Sequence, residues 1–174
     1  MEITVAALAP TASAGTLFWP GGRCLCRLGR AGIRSDKREG DGATPSGRFR
    51  LRQVLYRPDR LPAPPRTGLP TAPLTPHDGW CDDPADPAYN RPVPHPYPAR
   101  HEILWRDDGL YDLLAVLDHN SAPVIPGAGS AIFLHVADPA GQPTAGCVAL
   151  PLADLQTLLA DCGPDAHMHI LPAS

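Results

Sequence analysis

Residues 132–151 read Ile-Phe-Leu-His-Val-Ala-Asp-Pro-Ala-Gly-Gln-Pro-Thr-Ala-Gly-Cys-Val-Ala-Leu-Pro and hold the clearest structural signals in the chain. The apolar run around His135 predicts a buried strand over residues 131–136. Thr-Ala-Gly at 144–146 predicts a turn directly before Cys147. Pro151 suits the first position of a helix. This order predicts a strand, then a turn that carries the cysteine, then a helix.

The remaining elements follow from periodicity. The helix stripe is formed by Leu152, Leu155, Leu158 and Leu159, and Gly163-Pro164 ends it. Strand patterns cover residues 2–8, 16–28 with a break at Pro20-Gly21-Gly22, 46–56, 109–117 and 167–171. The 23 prolines and 16 glycines among 174 residues exclude a helical bundle. We predict a single domain over residues 1–174 with a mainly β (β-rich α+β) fold, a twisted, mainly antiparallel sheet or sandwich with one short helix.

Most of the prolines lie in residues 58–100, which show no periodic pattern and read as a long irregular loop. A loop of this length inside a small domain is either functional or disordered. Its aromatic residues, including Trp80 and Tyr89, and its Asp-Pro turns favour an ordered lid. These aromatic side chains either pack on a substrate or fill the local core.

Charge is distributed unevenly along the chain. Residues 23–60 hold 11 Lys and Arg against four acids, whereas residues 107–174 hold eight Asp and no base. Fourteen of the 15 bases are Arg, whose planar fork pairs with carboxylates, so a ligand with several carboxylates is a candidate. The alternative is a solvated basic face. A pI of about 6.1 argues against a nucleic-acid partner.

Cys147 has the surroundings of a nucleophile. It stands just before the helix that begins near Pro151, where main-chain N–H groups and the positive helix end are expected to stabilise a thiolate and an oxyanion. His135 is the natural base for its proton. Gly146 allows a backbone conformation that lets a substrate carbonyl approach the main chain.

Two blocks of sequence resemble the L,D-transpeptidase (YkuD-like) catalytic domain of peptidoglycan crosslinking. That family carries a His, a gap of about a dozen residues or more, and then Ser or Thr, His, Gly, Cys, an apolar residue and often Asn, at whose position this sequence has Ala149. Here the first block is His135 followed by residues 144–149, Thr-Ala-Gly-Cys-Val-Ala. The second block is residues 40–49, Gly-Asp-Gly-Ala-Thr-Pro-Ser-Gly-Arg-Phe, which is similar to the family's Gly-x-x-x-Thr-Pro-x-Gly segment.

The resemblance implies roles for the matching residues. Cys147 corresponds to the acyl-accepting nucleophile and His135 to its base, with the main-chain N–H groups of Gly146 and Cys147 as oxyanion donors. Thr144 would border the pocket. Ala145 stands where the family often has a second His, so we expect His135 to be oriented by another group, such as a backbone carbonyl.

Further substrate-binding candidates come from the surrounding sequence. Asn120 and Ser130 lie between the two blocks, and Arg48, Arg50 and Arg100 belong to the arginine excess that suits a stem peptide with several carboxylates. Solvation of an ordinary strand surface is the alternative for each arginine.

The chemistry that the resemblance implies is acyl transfer between peptidoglycan stem peptides through a Cys147 thioester, with no metal or cofactor. Three alternatives stay open. Water could replace the acceptor amine, which would make the protein an L,D-carboxypeptidase or amide hydrolase. The chain could instead be a binding module that holds wall peptides. A carbapenem would then not acylate Cys147, whereas it is expected to acylate the cysteine of a transpeptidase. A zinc site could use His77 and Cys81 with His95 or His101, although the spacing is not that of paired ligands.

The substrate class implies the periplasm or cell envelope as the site of action. The first eight residues carry Glu2 and no Lys or Arg, so no signal peptide is visible. No apolar run approaches the roughly 20 residues that a membrane span requires. Three explanations would reconcile a substrate in the cell envelope with the lack of a visible signal peptide: another export route, a different start of the chain, or action on precursors in the cytoplasm.

Overall fold

The computed structural model describes residues 1–173 and consists mainly of short strands. In chain order its elements are β1 (Glu2–Ala7), β2 (Ala14–Trp19), β3 (Gly22–Arg27), β4 (Ile33–Arg34), β5 (Thr44–Pro45), β6 (Gly47–Tyr56), β7 (Thr71–Pro73), β8 (Asp78–Cys81), β9 (Pro92–Pro94), β10 (His101–Ile103), β11 (Leu113–Leu117), β12 (Phe133–Val136), β13 (Val148–Leu150), α1 (Leu152–Asp161) and β14 (His167–Ile170). The predicted mainly β fold is confirmed. Within the described residues no helix has the length and apolarity that crossing a bilayer requires.

The main sheet closes on itself. Its nine strands run in the order β11-β12-β13-β3-β2-β1-β14-β6-β7. Strand β6 changes partner along its length, because Gly47–Arg50 pairs with β14 and Leu51–Tyr56 pairs with β11. Since β11 also begins the order, the strands form a barrel. Most neighbours are antiparallel, as predicted, and the parallel pairs are β1–β14, β4–β5, β6–β7 and β12–β13.

The central strands β11, β12 and β13 are buried on both faces. Successive side chains of a strand point to opposite faces, so neighbouring residues enter different cores. Leu134 and Val148 belong to the larger core, which includes the leucine stripe of α1. Phe133 and Cys147 belong to a second core on the other face, together with Trp80. Burial of each such apolar side chain contributes about 1.5–3 kcal/mol, so both faces are firmly held.

The predicted helix is present and begins at Leu152, one residue after Pro151, but it does not have the predicted effect on Cys147. Strand β13 separates Cys147 from the first residue of α1, Leu152. The buried leucines of α1, Leu155, Leu158 and Leu159, pack in the larger core, whereas Cys147 lies in the second core. The prediction that the helix N-terminus stabilises the Cys147 thiolate is therefore wrong, since the dipole effect acts within the first turn.

Residues 58–100, predicted to be a long loop that forms an ordered lid, contain three short strands that the sequence did not indicate, β7, β8 and β9. Strands β8, β9 and β10 form a separate antiparallel sheet in the order β10-β8-β9, which we call the cover sheet. Trp80 of this sheet packs edge-on against Phe133, with ring centroids 5.2 Å apart, and its indole N–H donates to Asn90 Oδ1 at 3.0 Å. Trp80 and Tyr89 are buried and so fill the local core.

Candidate active site

Cys147 and His135 are brought together by the parallel pairing of β12 and β13. The register places Leu134 beside Val148 and His135 beside Ala149. Since Val148 faces the larger core, the adjacent Cys147 faces the opposite side, the side that His135 shares. Both side chains line one cavity of about 580 Å³. The fold thus unites the two residues that the sequence selected.

The Cys147 thiol is held by main-chain groups of the neighbouring strand. Its Sγ accepts a hydrogen bond from the Phe133 N–H at 3.3 Å and donates to the Ala131 carbonyl at 3.2 Å. The residue is 7% exposed, and this burial, supported by the nearby Glu102 carboxylate, raises the pKa of the thiol to about 12. The resting site therefore holds a protonated thiol at neutral pH.

The His135 ring is oriented by a backbone carbonyl. Its Nδ1 lies 2.8 Å from the Val136 carbonyl oxygen, which can only accept, so Nδ1 carries the proton and Nε2 has a free lone pair. Burial lowers the pKa of His135 to about 4, which keeps the imidazole neutral. The Tyr111 ring meets it edge-on at 5.2 Å. Val136 thus occupies the orienting role left vacant by Ala145.

The turn before Cys147 is built by the two sequence blocks together. Thr144 Oγ1 accepts from the Gly146 N–H at 3.0 Å and donates to the Cys147 carbonyl at 2.7 Å. Thr44 Oγ1, from the other block, approaches the same carbonyl at 3.4 Å. Gly146 has a φ of 147°, and a Cβ there would lie 2.8 Å from the Ala43 carbonyl oxygen. Only glycine fits this position.

These contacts bear on two predicted roles. The Gly146 N–H donates to Thr144, so it is not available as an oxyanion donor in this structure. Thr144 borders the cavity, as expected, and its hydroxyl is hydrogen-bonded within the turn, so its role as a substrate ligand stays a prediction. The Cys147 N–H has no hydrogen-bond partner among residues 1–173, and it remains the candidate oxyanion donor.

Asn120 and Ser130 are both engaged within the protein. The Asn120 amide donates to the carbonyls of Ile125 and Gly129, and its oxygen accepts from the Ile125 N–H, so it shapes this loop and does not line the cavity. Ser130 does line the cavity, where its hydroxyl donates to Glu39 at 2.7 Å. Contact of Ser130 with substrate therefore stays a prediction, whereas the structure places Asn120 outside the cavity lining.

The arginines of β6 lie away from the cavity. Arg48 forms an exposed ion pair with Glu2 at 2.9 Å, and Arg50 donates to the Pro164 carbonyl at 3.1 Å. Neither is among the cavity-lining residues in the described part of the chain. The structure gives their prediction as substrate ligands no support, because the alternation that put them on one face places them on the solvent side of the strand.

Sequence reasoning missed most of the charged groups around the cavity. Its cationic side chains are Arg30, Lys37, Arg100 and Arg106, of which only Arg100 was a candidate. Glu102 of the cover sheet also lines the cavity and accepts a hydrogen bond from the Tyr111 hydroxyl. Burial raises the pKa of its carboxyl group. These residues are scattered along the chain, so no local pattern could have grouped them.

The histidines of the zinc alternative lie around the cover sheet. The His95 and His101 rings meet through a 2.9 Å contact between Nδ1 and Nε2, and His77 Nδ1 lies 3.2 Å from the His95 carbonyl. Across residues 1–173 no three His, Cys, Asp or Glu side chains are grouped so as to hold a metal ion. The geometry gives the zinc hypothesis no support.

Comparison with known proteins identifies the family. A search of curated proteins and a search of solved structures each find no match. The family model named YkuD, the L,D-transpeptidase catalytic domain, matches residues 12–170. This match spans both sequence blocks, the cavity and nearly every strand of the barrel. The chain therefore belongs to the YkuD family of L,D-transpeptidase catalytic domains.

Proposed function

We propose that this protein is a cysteine acyltransferase that crosslinks peptidoglycan stem peptides, with Cys147 as nucleophile and His135 as general base. The observation that carries the proposal is that both side chains line one cavity within a YkuD domain. The family acts on peptidoglycan, which supports stem peptides as the partners and the cell envelope as the site of action.

The resting groups define the first step. Both the thiol and the imidazole are neutral, so the thiol proton passes to His135 Nε2 as sulfur attacks the substrate carbonyl. The C–S bond forms, and the Cys147 N–H stabilises the oxyanion. The imidazolium then returns the proton to the departing amine as the C–N bond breaks, which leaves a thioester. Before attack the thiol must turn from the Ala131 carbonyl toward His135.

The second step regenerates the cysteine. The amine of a neighbouring stem peptide attacks the thioester carbonyl and loses a proton to His135 Nε2. The amide bond forms as the C–S bond breaks, and the proton passes to the departing sulfur. The cations around the cavity suit substrates that carry several carboxylates.

A second candidate function is hydrolysis of the same thioester by water, as in an L,D-carboxypeptidase. The size of the cavity favours it, because about 580 Å³ is the volume typical of a pocket for one small ligand, whereas a crosslinking enzyme must hold two peptides. Cys147 is also 7% exposed, so the thioester would be shielded from bulky acceptors.

The test is mass analysis of purified tetrapeptide and pentapeptide muropeptides after incubation with the wild type, Cys147→Ala and Cys162→Ala. Cys162 is another buried thiol, in the larger core, and serves as the matched control. Dimers that are lost only in Cys147→Ala establish the transpeptidase, and trimmed monomers establish the hydrolase. If the muropeptides are unchanged and a carbapenem does not acylate Cys147, the protein is a binding module and not an enzyme for this substrate.

A further inference from the structure

We infer that Arg30 determines substrate specificity by binding the free C-terminal carboxylate of the peptide that Cys147 attacks. This inference rests on the proposed function, since it names the part of the substrate that the same cavity recognises. It concerns a residue outside both sequence blocks.

Arg30 differs from the other cations around the cavity in having no partner. Lys37 pairs with Asp41, Arg100 with Asp82, and Arg106 with Asp108. In the part of the chain that the structure describes, the Arg30 guanidinium forms no hydrogen bond or ion pair, although the residue is exposed and lines the cavity. The other charges are neutralised within the protein, so Arg30 is the group that a substrate anion would meet.

The position of Arg30 is tied to the Cys147 turn. Its main-chain N–H donates to the Thr144 carbonyl at 3.0 Å. Its guanidinium lies across Gly42, where a Cβ would stand 2.7 Å from Arg30 Cζ, so the missing side chain makes room for it. The next residue, Ala43, packs against Gly146. The guanidinium is therefore fixed beside the segment that shapes the nucleophile turn.

The reaction explains which carboxylate would reach Arg30. The nucleophile attacks the carbonyl of the residue before the last, so the leaving residue carries the chain's terminal carboxylate. One extended residue spans about 3.3–3.6 Å, which places that carboxylate close to the reacting carbon. A guanidinium binds a carboxylate through two parallel hydrogen bonds. Arg30 would thus favour peptides that end one residue beyond the attacked bond.

The experiment compares a stem tetrapeptide with its C-terminal carboxamide in the wild type, Arg30→Gln and Arg34→Gln. Arg34 is an exposed arginine that pairs with Asp36, outside the cavity, and serves as the control. We expect kcat/KM of the wild type to favour the free acid by roughly 10- to 100-fold, the range of a charge-assisted hydrogen-bonded pair. Arg30→Gln should remove this preference, because neither peptide then meets a guanidinium, while Arg34→Gln keeps it. A preference that persists in Arg30→Gln overturns the inference.

Binding separates this inference from the proposed function. Calorimetry on Cys147→Ala, with and without Arg30→Gln, measures the affinity of both peptides without any acyl transfer. Tighter binding of the acid that is lost with Arg30→Gln supports the carboxylate site even if the wild type converts no peptide. Equal affinity for the two peptides, or no measurable binding of either, contradicts it.

Discussion

Two basic regions of the molecule carry similar charge and differ in what they contact. Strand β6 presents Arg48, Arg50 and Arg52 in a regular alternation, and the structure leaves them exposed on the outside of the barrel. The cavity cations, which run from Arg30 to Arg106, follow no pattern in the sequence and converge around Cys147. Regular spacing therefore marks the solvent face of a strand, whereas the site is marked by convergence, which only the fold reveals.

The largest contrast between the two regions should come from removing the thiol of Cys147, the proposed nucleophile. We expect Cys147→Ala to lower kcat/KM by at least about 10³-fold, because no thioester can form. Cys162→Ala should retain activity within about threefold. Conversion of muropeptides, followed by mass spectrometry, checks both. Substantial turnover by Cys147→Ala would show that the reaction does not take place at Cys147 in this cavity.

His135→Gln should have the next largest effect. The amide is neutral like the imidazole but cannot accept the thiol proton, so we expect kcat to fall by about 10²- to 10⁴-fold. The pH profile offers a separate check. Because the pKa of His135 is about 4, wild-type kcat/KM should not lose this base near pH 6.5 but only as the pH approaches 4. A loss of activity centred near pH 6.5 in the wild type would contradict a buried neutral imidazole.

His135 should also make stability depend on pH. Its folded pKa of about 4 lies below the ordinary value of 6.5, so the unfolded chain binds the proton more readily. This stabilising contribution is fully present above pH 6.5 and is lost as the pH falls toward 4, and the loss reaches about 2–3 kcal/mol by pH 4.5. Urea unfolding at pH 7 and pH 4.5 measures it. The difference should shrink by that amount in His135→Gln, and an unchanged difference would show that His135 does not cause it.

Local patterns were sufficient for most strands of the main sheet, for α1 and for the choice of Cys147 and His135 as candidates. The alternation in β6, the leucine stripe of α1 and the apolar strand around His135 are properties of neighbouring residues, so they were readable in the sequence. The sequence did not show that the N-terminus of α1 is unable to stabilise the Cys147 thiolate. Whether α1 and Cys147 lie on the same face depends on β13, a strand of only three residues. The hydrogen bond from the Gly146 N–H to Thr144 was likewise not readable in the sequence, because it depends on the conformation of the folded turn.

Thr144→Val should give an intermediate effect. It removes the hydroxyl that holds both the Gly146 N–H and the Cys147 carbonyl. We expect a loss of about 1–3 kcal/mol in unfolding free energy and roughly tenfold in kcat/KM, because the nucleophile turn loosens. Thr144→Ser keeps the hydroxyl and should stay near the wild type in both assays. If Thr144→Val instead changes only KM for the substrate, the residue is a substrate ligand as first predicted.

The smallest effect is expected on the β6 face. Arg48→Gln breaks an exposed ion pair with Glu2, and Arg50→Gln loses a contact with the Pro164 carbonyl. Exposed pairs contribute about 0–1 kcal/mol, so unfolding free energy should change by no more than this and kcat/KM by less than about twofold. Denaturant titration and turnover assays measure both quantities. A tenfold loss of kcat/KM in either variant would restore this face as part of the substrate site.

The central claim is that Cys147 forms a thioester with a stem peptide, and intact-protein mass spectrometry after a rapid acid quench tests it most directly. Wild-type protein mixed with tetrapeptide should gain the mass of the peptide lacking its last residue, and peptide mapping should place the adduct on Cys147. Cys147→Ala should gain no mass. Product formation without an adduct on Cys147, together with normal turnover by Cys147→Ala, would contradict the account.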